Sequence, residues 1–583
     1  MPPPASPPYE LLTNAPDCVV GVGATSHING TLTECTTITV EGTLHVHNQS
    51  YIRTNRIFVA SGGSFVMGTE SDPVDNVTIY LDHDDCDHLV HQNRLQWFTD
   101  AAADACLQNG EIEILGSWES HGVPMTAWTL LTADCASCNT IQVKECRGWK
   151  EGDTIVIAPN FGWGTGKDRA YAPTRTIASV TVNSDTCSIG MNASLETTHF
   201  GPSLSIANAS GSLITMPAEV MHFDRSILIT GPTHARTRYT ACDNCDASQG
   251  VYGFQGITTM ARAGASVSMQ WHQMTNCGRV LLGAYCHHLH FQGTSGGTFV
   301  GIATMHSVNK VWSIHGTSGS VIQDSVVFHH RGAIVYYENG AEYNNTLMGN
   351  VFGCEWMLTP ADGVGSSKCA LGDGVSTQVD SDLNEQSAIY QLSPFSADVL
   401  GNRIFGMDNA HFANQQGGIA SYGSDAAAYQ VAPSVMPNGV WEYNTFHTNA
   451  GFGWYWNSAL HPLKPMLMDW SRRLYAHAQF TSLSTCASTQ VATSSTGTTR
   501  CLSIPTQAPT NPSTPSSNIT SITTRISARA RTMQGTSRCK ITRATTRSSA
   551  YIGRYALAIE LPPPSDLLNR TPPVLTRVVE SRL

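Results

Sequence analysis

"VIQDSVVF" (321–328), "TLMGNVFG" (346–353), "VLGNRIFG" (399–406) and "VWEYNTFH" (440–447) are the stretches on which the fold turns. Each has an apolar residue, a gap, an Asn or Asp, and then apolar residues again. A polar amide or acid that returns at one place in successive short strands suits the stacked coils of a parallel β-helix. There its side chain caps a turn and hydrogen-bonds to its counterparts in a ladder. The pattern predicts parallel coils over 215–455, with Asp324, Asn350, Asn402 and Asn444 on equivalent rungs. The unequal spacing leaves a β-sandwich as the competing all-β arrangement, and no helical period of useful length occurs in this stretch.

Upstream the same β-type alternation continues. "TITVEGTLHVHNQ" and "RIFVASGGSFVMG" alternate apolar and polar residues with glycines at the corners, and "WKEGDTIVIAP" (149–159) and "SILITG" (226–231) follow suit. The chain divides into a Pro-rich disordered start (1–17), a strand-rich segment (18–85), a β-rich connecting region stacked on the helix (86–214), the β-helix repeats (215–460) and a low-complexity Ser/Thr/Arg-rich tail (461–583). From 481 onward the tail has no apolar stripe to bury, so it is expected to be cut by protease while the body survives. Charged residues make up only 13% of the chain and glycines number 50, a profile for an all-β protein with many turns.

Charge and cysteines narrow the function classes. Residues 481–583 carry twelve Lys/Arg against three Asp/Glu, a net +9 that leaves −20 on residues 1–480. An acidic body argues against nucleic acid as the partner. Seventeen cysteines fit an oxidising compartment, as do eight Asn-x-Ser/Thr sequons beginning at Asn29, Asn48, Asn76, Asn192, Asn208, Asn344, Asn518 and Asn569. "MPPPASPPYELL" lacks the basic start and apolar stretch of a signal peptide, so the extracellular reading expects a native start other than this one. No run of 18 apolar residues is present, so no membrane span is expected.

A resemblance rests on an ordered set of motifs. "ITVEGTLHVHNQ…IRTNRIFVASGGSFVMGTESDPV" (38–74) resembles the eight-glycine (G-eight) domain. "ESHGVPMTAWTLL" (119–131), "AEVMHFDRSILITG" (218–231), "YCHHLHF", "VWSIHGTSGSVIQDSVVFHHRGAIVYYENGAE" (311–342), "LSPFSADVLGNRIFG" and "FHTNAGFGW" are similar to the segments that follow that domain in cell-surface hyaluronidases of the cell-migration-inducing type and in fibrocystin-like receptors. The match runs in order over roughly residues 30–460. It implies an N-terminal eight-glycine domain (18–85) followed by a right-handed parallel β-helix of the pectin-lyase-like kind. It also implies an extracellular or cell-surface glycoprotein that binds, and in the enzymes cuts, an acidic polysaccharide such as hyaluronan. The rival class is a noncatalytic adhesion or receptor module of the fibrocystin-like type.

The family motifs carry over His288, His290, His315, Glu338 and Glu342. The pattern departs at Ala284, Cys286, Lys310, Ala333 and Asn339, where the family has arginine, proline, arginine, histidine and aspartate. The substitutions at 333 and 339 favour the noncatalytic class.

"YCHHLHFQG" (285–293) sets three histidines in a strand-like run, where alternate side chains share a face, so His288 and His290 point one way and His287 the other. His290 and His315 are 25 residues apart and His315 and Glu338 are 23 apart, about one coil each, so all could stack on neighbouring rungs. Glycoside hydrolysis needs an acid and a base or nucleophile. Glu338 is the candidate acid, Glu342 or Asp324 its partner, and the histidines hold substrate or tune the carboxyls. His288, Lys310, Tyr336 and Tyr337 are the candidate substrate-binding groups, and in an eliminative variant a histidine or tyrosine removes the proton beside a uronate carboxylate. Sugar binding without turnover and a purely structural polar cluster remain open beside catalysis.

His288, His290 and His315 also offer three nitrogens suited to Zn or Cu, but they lack a recognised ligand spacing, so no metal site is assigned. No cofactor is required by the sequence; Ca²⁺ is the cation that could bridge a polyanion to an acidic body. "CASC" (135–138) and "CDNC" (242–245) read as disulfide staples over a zinc site, and "GWGTGKD" (162–168) as a loop.

Overall fold

A computed structural model describes residues 17–82, 110–159, 172–207, 213–232, 256–279, 283–338, 342–354, 356–357, 366–367, 387–391, 396–407, 409–413, 439–449 and 454–456. The expectations for the Pro-rich start, the tail, "CDNC", "GWGTGKD" and Asn339 fall outside these residues. Every regular element among them is a strand.

The strands wind into a parallel β-helix with three faces. The first coil is Cys18–Val20, Thr25–Ile28 and Thr31–Leu32, and each later coil repeats that order. Strands of the first face pair in parallel from Cys18–Val20 through Thr37–Val40, Arg56–Val59, Glu111–Ile114, Thr258–Ala261 and His287–Gly293. The second face is a sheet of ten strands, one per coil. First and third faces merge because Ala303–Thr317 and Val326–Tyr337 are long enough to serve both.

Alternation in the sequence becomes inside and outside in the coil. In Thr37–Val40, Arg56–Val59 and Ser64–Met67 every second residue is buried. One inward column runs Val40, Val59, Ile114, Ala261, Leu289, Ile314, Tyr337 along the axis, each beside the next in register. Each Val, Ile or Leu in such a column contributes about 1.5–3 kcal/mol on burial.

The repeat motif marks the corner between second and third faces. Gly301 (φ 67°), Asp324 (φ 49°), Gly349 (φ 65°), Gly401 (φ 65°) and Tyr443 (φ 60°) all take the left-handed conformation there. Each of the first four donates its N–H to the following coil, to Gln323, Met348, Leu400 and Glu442 carbonyls respectively. The next residue forms the amide ladder: Asn350 Nδ2 donates to Asn402 Oδ1 (2.9 Å), and Asn402 Nδ2 donates to Asn444 Oδ1 (3.1 Å). Ser325, whose N–H donates to Asn350 Oδ1 (2.9 Å), holds the preceding rung. Asp324 is therefore not in the ladder. It sits one residue earlier, in the glycine position, where a short polar side chain tolerates positive φ.

The expected segmentation shifts accordingly. The coils begin at Cys18, so the eight-glycine segment is itself built of coils, and Glu111–Ile114 and Ser117–His121 within 86–214 are coil strands too. Between them and the next coil strand, Ile227–Thr230, lies an insert with a six-stranded antiparallel sheet from Trp128–Leu130 to Glu219–His222. Antiparallel pairing thus extends past residue 215. The insert has its own core, including Val143, Ile155, Ile157, Ile189 and Val220, and a Cys146–Cys187 disulfide. Cys135 and Cys138 pair with each other, as the staple reading expects.

The insert packs on the outer side of the third face. Ala127, Val156 and Phe223 meet Ala303, Val326, Phe328, Val351 and Phe405. Trp128 Nε1 donates to the Gly349 carbonyl at 2.6 Å, and Glu219 accepts from Arg403 Nη1 (2.6 Å) and pairs with His447 Nε2 (3.1 Å). From Ala303 to Phe405 the third face is consequently covered on both sides, and Val326–Phe328 and Val351–Gly353 are buried at every residue instead of at every second one.

Candidate functional site

The first face, on its outer side, gathers the histidines. Leu289 occupies the inward column, so His288 and His290 point outward while His287 packs inside against Phe299 and Trp312 (ring centroids 5.1 and 5.8 Å). His288 lies beside Ser313 and His290 beside His315 on the next coil. One coil further, Tyr336 lies beside Ser313, and Glu338 donates its N–H to the Ile314 carbonyl (3.3 Å), which brings it next to His315. The ring centroids are 5.1 Å (288–290), 4.8 Å (290–315) and 5.9 Å (288–315) apart.

A bulge shapes this corner. The register with the next coil shifts after His290, and Phe291 adopts φ 54°. The Phe291 ring then lies 4.3 Å from the His315 ring, over Gly316. A Cβ at Gly316 (φ 55°) would meet Phe291 Cδ1 at 2.5 Å, so this aromatic cover requires glycine there. Phe291, Ser313 and Gly316 went unremarked in the sequence. The adjacent glycine and aromatic one coil apart were the signal, legible only once the register was known.

The electrostatics favour neutral imidazoles at His288 and His315. Burial, followed by the charges of His290 and His315, pushes the His288 pKa well below the ordinary value. Burial, followed by His290, pushes His315 down to about 4. His315 Nδ1 is 3.4 Å from Glu338 Oε2, and Ser313 Oγ donates to the same oxygen at 3.2 Å. Glu338, with 14% of its side chain exposed, is half-buried and reaches solvent.

Other expected groups are placed differently. Lys310 and Tyr336 are outward but fully buried: the Lys310 ammonium lies 4.8 Å from the Tyr336 ring and 5.7 Å from that of Tyr285, and Tyr336 stacks on Tyr390. This is a closed cation–π box beside Ala333, not a substrate contact. Tyr337 belongs to the inward column, and burial raises its hydroxyl pKa, so it cannot serve as a base on the outer face. Glu342 is 3% exposed and accepts from the Gly316 N–H (3.1 Å), which makes it a turn ligand. Asp324 stands at the second corner of its coil, bonded by Gln323, and shares no contact with the histidines. Cys286 pairs with Cys277, tying "YCHHLHF" to the preceding coil. Ca²⁺ takes six to eight oxygen ligands, and a cluster of three imidazoles is not such a site.

Comparisons with known proteins bear on the same segments. Residues 8–132 match the G8 domain model and residues 253–454 the CEMIP beta-helix model. The human protein Fibrocystin-L is 24% identical over 328 residues, 52% of this chain and 7% of its own length. Human "Cell surface hyaluronidase CEMIP2" is 25% identical over 244 residues, 40% of this chain and 16% of its own length. This chain thus spans a small part of either relative. A tailspike of an Acinetobacter baumannii bacteriophage, solved with capsular saccharide, covers 69% of this chain and 66% of its own at 9% identity and TM-score 0.14. The chain is all-β with parallel coils, and the G8 domain and CEMIP beta-helix matches fall on the two parts that its motifs resemble.

Proposed function

We propose that the outer first face binds an extracellular acidic polysaccharide of the hyaluronan type and cleaves it with Glu338 as proton donor, at the cell surface or outside the cell. The observation that carries this reading is the convergence of His288, His290, His315 and Glu338 on adjacent rungs of one face, with Glu338 half-buried but still reaching solvent. Glu338 protonates the glycosidic oxygen as its bond to the anomeric carbon breaks, and a water molecule bonds to that carbon and gives up a proton to solvent, while Ser313 and His315 orient the Glu338 carboxyl and His290 contacts the sugar. The names of the relatives, a cell surface hyaluronidase and, in mouse, a "Cell migration-inducing and hyaluronan-binding protein", support the substrate class.

One observation favours the noncatalytic adhesion module instead. Hydrolases of this kind use two carboxyl groups about 5–10 Å apart, and Glu342, the nearest candidate in sequence, is closed to solvent. Incubation with a glycan panel, reading fragment size and binding for the native chain and Glu338→Gln, decides between the readings. The variant is expected to lose roughly 100-fold or more in cleavage while keeping binding. Binding without cleavage by the native chain would select the adhesion module, and no binding to any acidic glycan would end both.

A further inference from the structure

We propose that His288, His290 and His315 form a binding site for a divalent transition-metal ion of the zinc class. One nitrogen from each lies within 4.8 Å of the other two. The three rings come from two adjacent coils: His288 and His315 are nearly parallel (7°), and His290 stands at 85° and 88° to them.

His288 is prepared as a ligand. Its Nδ1 lies 2.9 Å from the Gly283 carbonyl, so Nδ1 carries the proton and donates it. Nε2 is then left with a bare lone pair, buried and without a hydrogen-bond partner in the structure. A histidine whose second ring nitrogen is tied to a backbone carbonyl is the usual arrangement behind a metal ligand, because the bond fixes both tautomer and ring orientation. A buried acceptor otherwise finds a partner. Glu338, at 3.4 Å from His315 Nδ1, is placed to take the same part for His315.

A tetrahedral zinc with Zn–N near 2.05 Å sets its nitrogens roughly 3.3 Å apart. Closing from 4.8 Å requires ring rotations, which the partly exposed His290 and His315 can make while His288 stays anchored. Three imidazoles leave the fourth position to water or a ligand oxygen. Nitrogen donors select zinc or copper over Ca²⁺ and Mg²⁺.

This site shares its histidines with the cleavage proposal but does not rest on it, because metal can bind whether or not a glycan is cut. The full chain, stripped with chelator, is titrated with Zn²⁺ by calorimetry, and bound metal per chain is counted after gel filtration. Tight binding of one ion that His290→Ala and His315→Ala each weaken roughly 100-fold is expected, with both variants unchanged in circular dichroism and melting. Co²⁺ in place of zinc is expected to give the visible absorption of a tetrahedral site in the native chain and not in the variants. The exposed group His27, His45 and His47 is the internal competitor. If His27→Ala/His45→Ala removes the bound zinc and the first-face variants keep it, or if the native chain binds none, the proposal is overturned.

Discussion

Two glutamates on the outside of the same coil stack, Glu219 against the third face and Glu338 on the first, solve burial in opposite ways. Glu219 is 1% exposed, and burial alone would raise its pKa. His447 and Arg403 outweigh that and hold it at about 2. It is a fixed charge with fixed partners, and it fastens the insert to the helix. Glu338 faces a hydroxyl and a histidine that burial keeps neutral near physiological pH. It keeps 14% of its side chain exposed, so a ligand can reach it. The seam is built to hold and the first face to respond, and mutation can test that contrast from both sides.

The largest expected effect is at the seam. Glu219→Ala leaves the half-buried Arg403 guanidinium and the His447 ring without the buried carboxylate they share, and should destabilise the chain by about 3 kcal/mol in denaturant titration. A loss below 1 kcal/mol would mean that the seam contributes little. The same carboxylate sets a pH window. Its folded pKa is below the ordinary 4.5, so its stabilising contribution is complete above pH 4.5 and is lost as pH falls from there toward about 2. Acid titration of the native chain should show this loss, and Glu219→Ala should flatten it.

A smaller effect is expected inside the corner. Asn402→Ala removes an acceptor for the Asn350 N–H and Nδ2 and a donor to the Leu347 carbonyl. The unmet groups should cost about 1–3 kcal/mol in the same titration. Asp324→Gly, by contrast, should be nearly neutral, since Asp324 fills a glycine position outside the ladder.

Asp324 also shows where sequence reading reaches its limit. Four motifs gave the coil, its corner and three of four ladder residues, because a repeat of polar residues between apolar ones has few structural solutions. The remaining motif, "VIQDSVVF", offered Asp324 and Ser325 side by side, and only the register with Asn350 separates them. The candidate site divides in the same way. Period-two alternation and one-coil spacing sufficed to bring together His288, His290, His315 and Glu338. Exposure was not legible: Tyr336 alternates outward, yet it and Lys310 are closed over by Tyr285 and Tyr390, which come from other coils. The insert, too, hides in local alternation, since antiparallel and parallel strands alternate alike when one face is buried.

The smallest expected effect on stability is the sharpest test of the contrast. His290 is partly exposed and touches Phe291 edge-on at 4.6 Å, with no place in the inward column. His290→Ala should change unfolding free energy by no more than about 0.5 kcal/mol, as surface substitutions do. Removing His290 also removes the neighbour whose charge, after burial, holds His315 down, so the His315 pKa should rise from about 4 toward the ordinary value. Imidazole chemical shifts followed through a pH titration would read that movement directly. Glycan binding should fall about tenfold, a loss of roughly 1.4 kcal/mol. If His290→Ala instead unfolds the chain as readily as Glu219→Ala, the first face is holding the coils together just as the third face does. The histidines would then be structural, and the distinction between the two glutamates would reduce to how deeply each is buried.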